Sequence, residues 1–151
     1  MLIGDGDLKE TLQQEIEAAG LGHRVHLPGN LDEVSKIREM QLMDLLVLPS
    51  IETTEAFGIV QVEAQLLSKP IVASDLPTGV TDVTINEMTG LLVPPGDADA
   101  LAAEIRRLTR DKALSKKFGA AGRERSLKNF TTKIFEGHFE RLFAQVLEPA
   151  T

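Results

Sequence analysis

The stretch PSIETTEAFGIVQVEAQLLSKP, residues 49–70, begins where the apolar run Leu45-Leu46-Val47-Leu48 ends. A strand running out into a polar loop, then a helix entered near Phe57-Gly58, is the βα unit these residues predict. Glu55 and Glu63 stand eight positions apart, Glu55 at the mouth of the helix and Glu63 two turns inside it. At the rise of an α-helix that is about 12 Å along the axis. The first helical turn aims unpaired N–H groups and a positive dipole end beyond the strand. Gly58 has no side chain to block a close approach. A ligand with a central diphosphate between hydroxylated groups suits this arrangement. Its phosphates would meet the helix N-terminus, and each carboxylate would accept hydrogen bonds from sugar hydroxyls. The alternative is a solvent-exposed helix with two ordinary glutamates, and the spacing alone favours it.

Working outward, other segments fall into a recognisable order. Pro49-Ser50, Glu55-Ala56-Phe57-Gly58-Ile59 and Glu63-Ala64 resemble the donor-site signature P-S, E-x-F-G-[IL] and E-x7-E of retaining glycosyltransferases with the GT-B fold. Upstream, Ile3-Gly4-Asp5-Gly6 is similar to that family's glycine-rich turn, and Val25-His26-Leu27-Pro28-Gly29 to its V-x-F-x-G. Asp44-Leu45-Leu46-Val47-Leu48 is similar to its strand before P-S. Downstream, residues 69–74, KPIVAS, resemble G-x-P-V-V-A-S; residues 89–97, TGLLVPPGD, resemble T-G-L-L-V-x-x-G-D. Each piece is weak alone; together, in order, they cover most of the chain. They resemble the C-terminal, nucleotide-sugar-binding domain of the group 1, or family 4, type.

Composition bounds the rest. The chain has 151 residues, one domain by size and enough to bury a core. Hydrophobic residues make up 42 %, which excludes a disordered chain. No apolar run reaches the ~20 residues of a membrane span, and no signal peptide is evident. Cysteine is absent, which removes disulfides, thiolate metal sites and thiol nucleophiles and fits a cytoplasmic location. A net charge of −7 argues against nucleic acid as the main partner. Trp and Tyr are missing, so the usual stacking platforms for bases or sugars are too.

The segments alternate between strand-like and helix-like patterns. Residues 1–4 and 24–28 predict short strands, with a helix over 8–19 between them. Asp7 and Glu10 are arranged as a capping box, and Gly20 stops that helix. Gly4-Asp5-Gly6 lacks the third glycine of a dinucleotide fingerprint and reads as a tight strand-to-helix turn. His23 and His26 on a strand point to opposite faces, so a shared metal is not expected. Residues 32–40 predict a helix with Val34, Ile37 and Met40 inward. Residues 44–48 read as a central parallel strand. The signature helix should bury Ile59, Val62, Leu66 and Leu67. Strands follow at 71–73 and 89–94, with a turn-rich loop, DLPTG, at 75–79. Asp97 caps a helix over about 99–109 with Leu101, Ile105 and Leu108 inward. Residues 111–127 are basic and mostly helical, read as a solvated face rather than an anion site. A closing helix from Thr131 or Thr132 carries an apolar stripe including Phe135, Phe139 and Phe143.

This rhythm predicts an α/β fold, a doubly wound, Rossmann-like parallel sheet with helices on both faces. Ligands bind such sheets beyond the carboxyl ends of the strands. The resemblance makes residues 1–151 a single donor-binding domain, one half of a GT-B fold, expected to lack its first strand and its N-terminal acceptor domain. It implies hexosyl transfer from a nucleotide diphosphate sugar with retention, no cofactor and no essential metal. Glu55 is the candidate catalytic residue, holding donor-sugar hydroxyls, with neither nucleophile nor base assigned. Glu63 would hold the ribose, and the N–H groups of Phe57, Gly58 and Ile59 the diphosphate. Gly29 and Asn30 would border the base, and Ser50 would complete the donor site. Pro77-Thr78 and Asp82 depart from the family's Gly-Gly and Glu, which leaves donor-sugar recognition open. The isolated chain is expected to be inactive, to self-associate through its last helix, and to be cytoplasmic, with peripheral membrane attachment of a full-length enzyme left open. The competing reading is a stand-alone, non-catalytic nucleotide- or partner-binding module. An enzyme of the related epimerase type ranks lower, because that type lacks the E-x-F-G-[IL] helix entry.

Overall fold

Three short β-branched or aliphatic runs pair side by side in a parallel sheet of order β1-β2-β3: β1 (Leu46–Leu48), β2 (Ile71–Ser74) and β3 (Gly90–Val93). Leu46 pairs with Ile71 and Val72 with Leu91, which sets the register. The structure, a computed structural model, describes residues 1–147. It divides into two compact units, Met1–Leu42 and a larger one from Met43 that holds the sheet.

Alternation along β2 puts Val72 on one face with Leu91 and Val93 of β3. That face packs with Leu108 of α5 (Ala98–Arg110) and Phe118 of α6 (Lys112–Asn129). Ile71 and Ala73 point the other way and are equally buried, so both faces of β2 are covered. The helix connecting β1 to β2 is α3 (Ile59–Leu66), and a four-residue helix, α4 (Val80–Val83), connects β2 to β3. This is the parallel α/β architecture the sequence predicts. β1, however, is an edge strand of this sheet and only half-buried, not a central strand. The Asp97 carboxylate caps α5 by accepting from Ala100 N–H (2.9 Å). The lysines of α6 are exposed as read, but its opposite face buries Phe118, Gly119, Gly122 and Ser126. The closing helix α7 (Thr132–Leu147) buries no residue completely.

α3 departs from expectation in register. Ile59 is 70 % exposed and Leu66 is exposed too, whereas Gln61, Val62, Ala64 and Gln65 are buried. β-branched Ile59, Val60 and Val62 favour helix only weakly, so packing sets the buried face. Gln61 and Gln65 go inward because buried partners satisfy them: Thr84 Oγ1 donates to Gln61 Oε1 (2.7 Å) and Ser126 Oγ to Gln65 Oε1 (2.6 Å). Past the C-cap Leu67 the chain turns at Ser68, whose φ is +58°, ahead of Pro70.

In the first unit, α1 (Lys9–Ala18) ends at Gly20 in the left-handed region (φ +68°), as predicted. The capping box does not form: Leu8 is the N-cap residue and no side chain caps the helix. The strands expected at 1–4 and 24–28 reduce to a single parallel bridge, Ile3 to Gly29, with Leu2 N–H donating to His26 O (2.8 Å). Pro28 has no N–H to extend a ladder. In α2 (Glu33–Leu42) Met40 is buried, but Val34 and Ile37 are exposed.

Candidate functional site

Past the carboxyl end of β1 the chain turns at Pro49-Ser50 and reaches α3 through residues 51–58. Ser50, Ile51, Glu52, Thr54 and Glu55 line a cleft of about 290 Å³. Ser50 Oγ donates to Glu55 Oε2 (3.2 Å), so the two predicted site residues meet. The half-buried Glu55 carboxylate and Glu52 make this cleft acidic. An acidic cleft suits hydroxyl donors better than a second anion.

The mouth of α3 is built by three consecutive carbonyls turned into the protein. Ala56 O accepts Gly79 N–H (2.8 Å), Phe57 O accepts Gln61 Nε2 (3.1 Å), and Gly58 O accepts Gln61 N–H (2.8 Å). In a planar trans peptide the C=O and the next residue's N–H point in opposite directions. The N–H groups of Phe57, Gly58 and Ile59 are therefore aimed away from those contacts, and among the described residues they meet no protein acceptor. Gly58 itself is buried at φ +68°. A Cβ there would lie 2.7 Å from Leu48 Cδ2 and 2.8 Å from Gln61 Nε2. Glycine is thus required by both conformation and space.

Because α3 begins at Ile59, Glu63 lies one turn inside it, not two. It is about 6 Å along the axis from the helix start and half-buried. The Phe57 ring meets Phe130 edge-on (5.7 Å between centroids), and the Arg125 guanidinium lies over Phe130 (5.6 Å) while donating to Asp82 O (2.6 Å). Asp82 sits in α4 with its side chain exposed.

Gly29 and Asn30 belong to the first unit. Gly29 has φ +77° and accepts Gly4 N–H (3.0 Å), and Asn30 is exposed. The amino end of α1 borders an open groove of about 600 Å³ whose lining includes Asp5, Asp7, Lys9 and Glu10. Lys9 is paired there with Asp5 (3.1 Å).

Carboxylates held below their ordinary range lie elsewhere. Ser35 does this to Asp32 through its N–H and hydroxyl, Lys112 to Asp44, and Arg107 to Glu87. Among the described residues no group of three or more His, Cys, Asp or Glu is placed to hold a metal ion, and no helix is long and apolar enough to cross a membrane.

Gln61, Thr84 and Gly79 hold the α3 mouth in shape; nothing local marks the first two, and Gly79 reads only as the end of a turn-rich loop. Two glutamines four apart share one helix face, but Ile59, Val62, Leu66 and Leu67 offered a more apolar inward face.

A parallel sheet flanked by helices, opening at a glycine-started helix beyond a strand end, is the α/β fold of GT-B glycosyltransferases. The chain belongs to the Glycosyl transferases group 1 family, which it matches over residues 1–125. It is 34 % identical over 146 residues to the exopolysaccharide phosphotransferase SCO2592 of Streptomyces coelicolor, covering 97 % of this chain and 15 % of that protein. It is 32 % identical over 146 residues to the phosphatidyl-myo-inositol mannosyltransferase of Mycobacterium leprae, covering 97 % and 37 %. The crystal structure of Anabaena Alr3699/HepE in complex with UDP superposes with a TM-score of 0.84 at 28 % identity, covering 95 % of this chain and 40 % of that one. The chain thus spans well under half the length of each.

Proposed function

We propose that this chain is the donor-binding half of a larger glycosyltransferase that moves a hexose from a nucleoside diphosphate sugar to an acceptor with retention at the anomeric carbon. The observation that carries this reading is the run of inward carbonyls at residues 56–58, which leaves three successive N–H groups at the mouth of α3. Aimed at a diphosphate, they would stabilise the charge that develops as the sugar–phosphate bond breaks. Glu55, seated by Ser50, would accept from sugar hydroxyls, and Glu63 from the ribose. The UDP carried by the similar Anabaena protein supports a nucleotide donor. No essential metal is proposed, as the resemblance to this glycosyltransferase type implies.

The acceptor site would lie in chain outside these residues, in keeping with the fraction of each relative that this chain covers. The location proposed is cytoplasmic. Alone, residues 1–151 should bind donor nucleotide without transferring sugar. The test is incubation of purified chain with labelled UDP-, GDP- and ADP-sugars, with and without simple sugar acceptors. Nucleotide binding with at most slow donor hydrolysis is expected. Robust transfer would contradict the half-enzyme reading, and failure of every nucleotide to bind would overturn the donor-site reading.

A further inference from the structure

We propose that Gln61 is a positioning residue of the donor site, its amide fixing which way the Phe57–Gly58 peptide faces; this rests on the donor-site reading above. Gln61 is wholly buried and makes contacts at both ends of its amide. Nε2 donates to Phe57 O (3.1 Å), with a longer contact to Val80 O (3.5 Å). Oε1 accepts from the buried Thr84 hydroxyl (2.7 Å). The acceptor-only carbonyls of Phe57 and Val80 fix the orientation of the amide, since a flipped amide would bring Oε1 against them, and the Thr84 hydroxyl, able to donate or accept, then donates to Oε1.

The consequence reaches the ligand through peptide planarity. Holding Phe57 C=O inward drives Gly58 N–H outward. Released, that peptide could rotate and present its carbonyl, a partial negative charge, where a phosphate is to bind. Ala56 and Gly58 carbonyls are held by backbone donors, Gly79 N–H and Gln61 N–H, so the middle peptide alone depends on a side chain. Gly79 is fitted to the same clasp: a Cβ there would lie 2.7 Å from Phe57 Cδ2 and 2.8 Å from Ala56 O. The turns before α3 and α4 are therefore held together by Gly79 N–H, and Gln61 with Thr84, the C-cap residue of α4, ties α3 to the far end of α4.

The test compares a nucleoside diphosphate with its nucleoside, using whichever of UDP, GDP and ADP wild-type protein binds most tightly. Gln61→Met keeps length and loses both hydrogen bonds. Thr84→Val keeps shape and loses the hydroxyl, and Thr84→Ser restores it. Melting curves establish that each variant is folded, and affinities are taken below its transition. Gln61→Met should lose roughly tenfold in diphosphate affinity, with nucleoside affinity unchanged. Thr84→Val should lose part of this, and Thr84→Ser should recover it. A residue that merely stabilises the fold would lower the melting temperature and leave the ratio of the two affinities as in wild type, which overturns the proposal while the donor-site reading stands. If wild-type protein binds no nucleoside diphosphate, both fall together.

Discussion

Gly119 of α6 and Ser68 at the end of α3 meet backbone to backbone: a Cβ on Gly119 would run into the Ser68 carbonyl oxygen. The same helix face brings Gly122 against the Gln65 side chain. This approach sets how closely α6 can support the helix that carries Glu63. Gly119→Ala should therefore destabilise the fold by about 1–3 kcal/mol through overpacking, although alanine is the better helix former. Gly137 in α7, with nothing near its Cβ position, is the control, and Gly137→Ala should be neutral or slightly stabilising. Urea midpoints for the two variants decide it; equal midpoints would mean that the α3–α6 contact yields without cost.

Arg107 donates to both carboxylate oxygens of Glu87, at 2.6 and 3.0 Å. The arginine holds the Glu87 carboxyl below its ordinary value of 4.5. A depressed carboxylate contributes stability that is present above that value and lost as pH falls through the lower folded one. Glu87→Gln should accordingly be slightly less stable than wild type at neutral pH, by the small amount typical of exposed pairs and less in high salt. The difference should shrink below pH 4.5 and be gone in strong acid. A gap that persists or widens in acid would assign the effect to something other than this ion pair.

Phe135, Phe139 and Phe143 lie in a row on α7, with ring centroids 5.3 and 5.2 Å apart and exposures of 64, 46 and 52 %. Leu142 and Val146 extend the apolar surface. In the isolated chain this face should pair with a second copy at raised protein concentration. Sedimentation at two concentrations should show mass rising with concentration, and Phe139→Ser should hold the chain monomeric. A wild-type monomer at the higher concentration would rule out self-association through α7.

Much of the sheet was legible because β2 and β3 are short apolar runs closed by Pro, Gly or Asp, and Asp97 marks its helix by capping it. The strand at 24–28 looked equally regular, but Pro28 interrupts its ladder and leaves one bridge. The register of α3 was not legible. Its apolar residues suggested Ile59 and Leu66 inside, whereas Gln61 and Gln65 are buried, stabilised by Thr84 and Ser126 from 23 and 61 positions away. A local pattern carries no trace of such distant partners. α4 was missed because four residues give no helical period. At the candidate site, Glu55, Gly58 and Glu63 were visible through their spacing and resemblance. The inward carbonyls that orient the N–H groups between them depend on Gly79 and on a side-chain amide, and needed the structure.

The most direct test of the donor-site account is calorimetric titration of wild-type and Glu63→Ala protein with UDP, GDP and ADP. Glu63 is half-buried one turn inside α3, and replacing it should not disturb the core. If its carboxylate accepts ribose hydroxyls, each charged hydrogen bond is worth about 1.5–3 kcal/mol. The account predicts that wild type binds at least one of the three and that Glu63→Ala, shown by its melting curve to be folded, binds it roughly tenfold or more weakly. Equal affinity in the two folded proteins, or no binding by either, would contradict it.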